Sequence, residues 1–424
     1  MGFDVAVDTL SRLAGGVLSP EPSERRRRLT FAVVFATILI DFVGFSVLIP
    51  VLPLFADRLG ASALQVGWIV SLYGLAQLVF LPVWGWISDR VGRRPVILIS
   101  LLGTAVSFAV LAAAESIAVV YAARAVAGLF AASIGTAQAV VTDLTPPTER
   151  TSGMGLISAA FGASMVVGPV AGGALAALHP QAPFYAIVVL AGVNFLLAWR
   201  ALPESRPAGL ARPPWRDLAR SFVPTPIRLL TRVHDRRTAL FLVLFFVFFA
   251  AFAVVEAMGT LYLGKRFGAD ELDAALVFAW LGLFIVGTQA GPLRRLADTY
   301  GEVPLLVAGF ALMAVGLAAV AWVPSYGWFF AVGPIIAIGN GLGFPSFTSL
   351  FTKVCRAEQA GELLGQSNSM AVAGRIVGAI GGGALMSDRF LSAPFLASSA
   401  LLTLGLALFL ALRPRLLRGI ERPR

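Results

Sequence analysis

Twelve runs of about twenty mainly apolar residues divide this chain, near 31–55, 67–88, 96–114, 118–141, 153–177, 184–199, 239–263, 275–293, 303–322, 326–350, 364–386 and 391–412. Each can carry a helix across the ~30 Å hydrocarbon core of a bilayer. Lipid offers the backbone no hydrogen-bonding partners, so spanning segments are helices or closed barrels. Barrel strands are about half this length. The runs therefore predict an all-α polytopic membrane protein. Composition agrees: 58% of residues are hydrophobic and 13% are Asp, Glu, Lys or Arg, against roughly a quarter in soluble domains. That excludes a soluble enzyme or a nucleic-acid-binding domain. Arg25 to Arg28 precede the first run as in a signal peptide, but the run is too long for one and no small-residue cleavage site follows. It reads as an uncleaved first span.

The runs fall six and six about a polar segment rich in Arg and Pro. The expected organisation is a tail over 1–29, a six-helix bundle over 30–200, a linker over 201–238, a second bundle over 239–413 and a tail over 414–424. The linker has room for a short amphipathic helix around Trp215 to Leu230. With both termini in the cytoplasm, 27 basic residues fall inside and 4 outside, namely Arg58, Lys265, Arg266 and Arg389. That bias predicts this orientation. It also accounts for the net charge of +10 without a polyanionic partner.

The halves echo each other. Gly155 to Leu175 aligns without gaps on Gly365 to Leu385, matching Gly168 to Gly378, Gly172 to Gly382 and Gly173 to Gly383. SDRVGRRP (Ser88 to Pro95) matches ADTYGEVP (Ala297 to Pro304) at nearly the same offset. Equal halves in one orientation are related by a pseudo-two-fold axis along the membrane normal, with a cavity expected between them.

Four charges fall inside runs. Asp41 lies about ten residues into the first, Arg124 in the fourth, Glu256 in the seventh and Arg375 in the eleventh. A charge facing lipid costs several kcal/mol, so each should face the bundle interior or a wet cavity. The carboxyls are candidates for proton uptake or cation binding, or for structural ion pairs with either Arg; the sequence does not pair them. A lone cysteine, Cys355, and two distant loop histidines, His179 and His234, leave no basis for a disulfide framework or a metal site. No cofactor is expected.

The turn GWISDRVGRRP, Gly85 to Pro95, is the sharpest local signal. Asp89 is placed to receive helix N-terminal amides, and Arg90, Arg93 and Arg94 suit an anionic inner surface. Gly92 permits a left-handed turn, and Pro95 suits a first helical turn. It reads as a conformational latch or as a basic loop. In the fifth run, Gly162, Gly168, Gly172 and Gly173 permit close helix approach, and Pro169 favours a bend.

These residues resemble those of the major facilitator superfamily, and more narrowly its twelve-span drug:proton antiporters, which include the tetracycline efflux proteins. DFVGFSVLIPVLP (Asp41 to Pro53) is similar to the first-span signature and GWISDRVGRRP to the loop between spans two and three. RAVAG (Arg124 to Gly128) is similar to the fourth-span motif, and Val141 to Gly173 to the fifth-span antiporter motif around Gly168 and Pro169. The resemblance implies a rocker-switch cycle in which the loop latch holds one state, with Asp41 and Arg124 near the proton-coupling machinery. The second copy of the loop, with Thr299, Glu302 and Val303 for Arg90, Arg93 and Arg94, is not expected to make the same latch.

The function expected is proton-coupled export of small amphiphilic or drug-like compounds from a bacterial inner membrane. Its partners are a small-molecule substrate, protons and membrane lipids; it is monomeric and not an enzyme. Transport of a native metabolite such as a sugar, a lipid-like molecule or a siderophore is the alternative, and a non-transporting scaffold or receptor a remote one.

Overall fold

The computed structural model describes residues 24–144, 150–206, 214, 236–354 and 360–416. The segment Trp215 to Leu230, His234 and Cys355 lie outside the described residues. The first half contains α1 (Glu24–Arg58), α2 (Ala63–Val91), α3 (Arg93–Ala112), α4 (Ile117–Leu129), α5 (Ser133–Leu144), α6 (Arg150–Leu178) and α7 (Ala182–Ala201). The second contains α8 (Arg236–Phe267), α9 (Glu271–Gln289), a short α10 (Pro292–Tyr300), α11 (Glu302–Val320), α12 (Phe329–Val354), α13 (Ala360–Leu385) and α14 (Ala393–Leu416). Alternation of spans gives each span, with α4 and α5 counted as one, an end on the side of the linker and an end on the far side.

Among the described residues, eleven segments are long and apolar enough to cross a membrane. The remaining predicted span is helical as α13. Its glycines, Gln366, Asn368 and Arg375 lower its hydropathy below that of the others. Among the described residues, these eleven segments and α13 make up the twelve spans of the all-α architecture expected. The fourth span departs from expectation. It is two helices, α4 and α5, with a break at Phe130 to Ala132.

The described chain forms two compact units. One takes in residues up to Ser46, Ala76–Ser164 and the chain from Gln181; the other Val47–Leu75, Met165–Pro180 and the chain from Thr225. In the first unit α3 packs along α7 and against α4 and α5. Val34, Ile38, Ile97, Leu101 and Ala198 are buried together there. In the second, α8 packs on α13 and α11 on α12. A Phe cluster lies between α8 and α12, where the rings of Phe245 and Phe347 meet edge to face at 4.2 Å. Lipid tails are as apolar as these side chains, so the preference for helix over lipid comes from close contact and hydrogen bonding rather than from water exclusion. Conversely, Leu178, Val189 and Trp322 stand largely exposed, as bilayer-facing residues do.

The internal repeat is expressed as packing within the second unit. Gly173 of α6 lies against the start of α9, where an added Cβ would come 2.3 Å from Ala275 Cβ. Its repeat partner Gly383 of α13 lies against the start of α2, where a Cβ would come 2.4 Å from the Ala63 carbonyl oxygen. Gly172 and Gly382 repeat the relationship on Val47 of α1 and on Val254 and Met258 of α8. Missing side chains let corresponding helices touch in corresponding ways.

Candidate functional site

Asp41 is partly buried on α1. Its Oδ2 accepts a hydrogen bond from the hydroxyl of Ser133, the first residue of α5. The break before Ser133 is held by other spans. Ser100 of α3 receives the N–H groups of Ala132 at 3.2 Å and Ser133 at 3.0 Å. Its own hydroxyl lies within donating distance of the Phe130 carbonyl and of Ser133 Oγ. Trp84 Nε1 donates to the Leu129 carbonyl at 2.6 Å. An unpaired backbone group in hydrocarbon costs several kcal/mol, and these partners remove that cost. Arg124 is buried on α4, about two turns before the break.

Glu256 of α8 and Arg375 of α13 form an ion pair at 2.8 Å, with Glu256 nearly buried and the guanidinium about a third exposed. The close packing of α8 on α13 brings the two side chains together. Of the four intramembrane charges, these two pair with each other, while Asp41 is tied to a serine.

At the linker side, Gly92 adopts a φ of 118° between α2 and α3. An added Cβ would be 2.3 Å from Glu204 Oε2. Arg93 donates to Asp143 at 3.2 Å and to Asp89 at 2.5 Å, and also to Ser88. Arg94 donates to the Trp199 carbonyl, and the Arg90 guanidinium lies 5.9 Å from the Trp86 ring centre. The expectation for Asp89 needs correction. Glu204, just beyond α7, takes the N-terminal amides of α3, accepting from Arg93 N at 2.8 Å and Arg94 N at 3.2 Å. Asp89 faces Arg93 instead, because α2 continues through it and aims its carboxylate at a side chain one turn on. A Cβ at Gly85 would meet nothing within 4 Å.

The second loop copy keeps its glycine, Gly301, at φ 80°. Glu302 binds Lys353 and receives a hydrogen bond from Ser349 at 3.1 Å. The repeat aligns Glu302 with Arg93 and Lys353 with Asp143, so the bridge persists with its charges exchanged.

Gly162 is partly buried in α6, and Gly168 and Pro169 are buried; the helix runs unbroken through Pro169. At the far side of the second unit, Arg58 of α1 pairs with the buried Glu271 of α9. Lys265 reaches Asp388 at 3.0 Å and Asp57 at 3.8 Å. Sequence reasoning missed Ser100, Ser133, Asp143, Glu204 and Glu271. Asp143 and Lys353 could have been found by extending the glycine repeat, Gly155 on Gly365, back to the ends of spans four and ten.

A family model described as Major Facilitator Superfamily matches residues 34–379, with a second match over 290–424. The chain belongs to this superfamily. This facilitator is 30% identical over 397 residues to the class C tetracycline resistance protein of Escherichia coli, covering 91% of its own length and 96% of that protein. It is 27% identical over 403 residues to multidrug resistance protein 1 of Bacillus subtilis (strain 168), covering 91% and 97%. Among solved structures it is similar to the human organic anion transporter MFSD10 (TETRAN), at a TM-score of 0.67 and 25% identity, over 92% of this chain and all of that one. This facilitator is thus a multi-pass membrane transporter whose named relatives are transport and resistance proteins.

Proposed function

We propose that the protein is a proton-coupled antiporter of a bacterial inner membrane, with both termini cytoplasmic, that exports small amphiphilic, drug-like compounds. The observation that carries this reading is the Asp41 carboxyl at bilayer depth, in a chain matched almost end to end by a tetracycline resistance protein. A carboxyl there stays charged only while the interior solvates it, so conformational change alters its hold on a proton. Export then follows from competition, because a substrate that favours the ionised form expels the proton, and re-protonation on the acidic side resets the carrier. Glu256 and Arg375 supply a second charged pair that an incoming charged group could divide.

The substrate class is supported by an open pocket of about 460 Å³ in the second unit, lined by Trp280, Leu283, Phe284, Thr288, Ile338 and Leu342 among others. Its size is that of drug sites, and its walls are apolar and aromatic with a single hydroxyl. Such an apolar pocket suits the apolar body of an amphiphile better than a sugar, for which it offers one side-chain hydroxyl. The test is flux in proteoliposomes with tetracycline, ethidium and glucose as probes. The reading expects an imposed pH gradient to drive accumulation of tetracycline or ethidium but not glucose. Accumulation driven by sodium alone, or glucose as the one probe moved, overturns it.

A further inference from the structure

We propose that Ser133 and Ser100 are positioning residues that join the Asp41 carboxyl to the break in the fourth span, and that α5 carries the effect of its proton to the Arg93–Asp143 bridge. The proposal rests on the proton-coupled reading above and adds to it the element that moves.

The break is suited to this because its bonds converge on two hydroxyls. Ser100 Oγ has two lone pairs and one proton. The N–H groups of Ala132 and Ser133 occupy the lone pairs, and the Phe130 carbonyl and Ser133 Oγ compete for the proton. Ser133 spends its own proton on Asp41. The Phe130 ring fills the space beside Gly103, where an added Cβ would come 2.2 Å from it, so the break is seated on α3 by shape as well as by hydrogen bonds.

Protonation changes this arrangement through ordinary chemistry. The ionised carboxylate accepts a charge-assisted bond and lies at the N-terminal residue of a 12-residue helix, where the helix dipole favours negative charge. A carboxyl protonated on Oδ2 must donate to Ser133 rather than accept from it. One protonated on the other oxygen accepts about half as strongly. Both weaken the tie, and the neutral group loses the dipole's attraction.

The effect has a path. Ser133 begins α5, and Asp143, near its other end, receives Arg93 of the loop at 3.2 Å. Ten residues of helix span about 15 Å, so one short rigid rod has the carboxyl at one end and the loop bridge at the other. Few other charges compete with Asp41. On the elements around it, α4 carries Tyr121 and the buried Arg124. The charged Arg93, Asp89 and Asp143 meet one another at the linker side. Tyr185 and Arg200 of α7 are exposed. The stretch of α6 facing Phe42, from Phe161 to Ser164, has no titratable side chain.

Amide hydrogen exchange of the full-length protein in nanodiscs, without substrate, tests this. Exchange of peptides covering Leu129–Gln138 and Ser88–Val96 is compared at pH 5.5 and pH 8 after correction for intrinsic rates. The proposal expects both peptides to change protection several-fold between the two pH values. It expects Asp41→Asn to hold both near the acidic value, Ser133→Ala to abolish the response of the loop peptide, and Ser133→Thr to keep it. Ser100→Ala is the second variant should Ser133→Ala not fold, and it is expected to lose the response likewise. A wild-type protein with equal exchange at both pH values, or a Ser133→Ala or Ser100→Ala protein with the wild-type response, overturns the proposal. Those results leave gradient-driven flux in proteoliposomes standing. Flux that ignores the gradient removes the proton-coupled reading and this inference together.

Discussion

Glu302 binds Lys353 at the positions where the internal repeat puts Arg93 and Asp143. The two halves therefore keep the same bridge between a loop and the end of a span, with the charges exchanged. Exchange preserves the attraction while removing the acidic partner that Asp89 gives Arg93, since Asp298 in the copy would face another carboxylate.

Reversal is the natural check. Lys353→Glu alone sets two carboxylates against each other and should cost about 1 kcal/mol, a small figure because the lysine is half exposed. Adding Glu302→Lys should restore most of it. Melting of the single and double variants in detergent reads this directly. Arg93→Ala should cost more, about 1–3 kcal/mol, since it leaves Asp89 and the nearly buried Asp143 without their shared cation.

The two loop glycines should respond differently. Gly92→Ala meets both an unfavourable φ and the Glu204 carboxylate, and should lower stability by about 2–3 kcal/mol. Gly301→Ala meets open space and should lose less, about 1–2 kcal/mol, from backbone strain alone at φ 80° and ψ 170°. Equal losses in a melting experiment would show that Glu204 does not seal the first loop.

Glu256→Gln should remove the carboxylate that pairs with the Arg375 guanidinium. Full burial would make that worth about 3–5 kcal/mol; with Arg375 about a third exposed, about 1–3 kcal/mol is expected. Glu256→Gln with Arg375→Gln should recover at least half, as measured by a double-mutant cycle of melting temperatures.

Gly173→Val and Gly383→Val should each push apart helices that meet at the far side of the second unit. An Arg58→Cys and Glu271→Cys pair on a Cys355→Ser background reports displacement of the start of α9, on which Gly173 packs, since the native side chains form an ion pair. Cross-linking should fall several-fold in Gly173→Val and stay near wild type in Gly383→Val, whose contact lies between α13 and α2. Undiminished cross-linking in Gly173→Val would mean the helices adjust around the added side chain.

The spans and the glycine repeat were legible in the sequence because run length and a fixed offset follow directly from the bilayer and from duplication. The break in span four was not. Phe130, Ala131 and Ala132 contain neither proline nor glycine, and the partners that stabilise the interruption, Ser100 and Trp84, come from other spans. Glu204 was hidden for the same reason. It caps a helix 111 residues earlier in the chain, and its place in a polar segment resembled that of any other linker charge. The motif residues were legible singly, yet their pairing required the fold: α8 against α13 decided that Arg375 belongs to Glu256.

Proton movement accompanying substrate movement tests the central claim most directly. Proteoliposomes loaded with a pH-sensitive dye are given tetracycline on the outside, with no imposed gradient and with the membrane potential clamped. The account predicts that tetracycline entry drives proton exit and raises the internal pH, and that Asp41→Asn abolishes the proton signal. Tetracycline entry at the full rate with no change in internal pH, or an unchanged signal in Asp41→Asn, would contradict it.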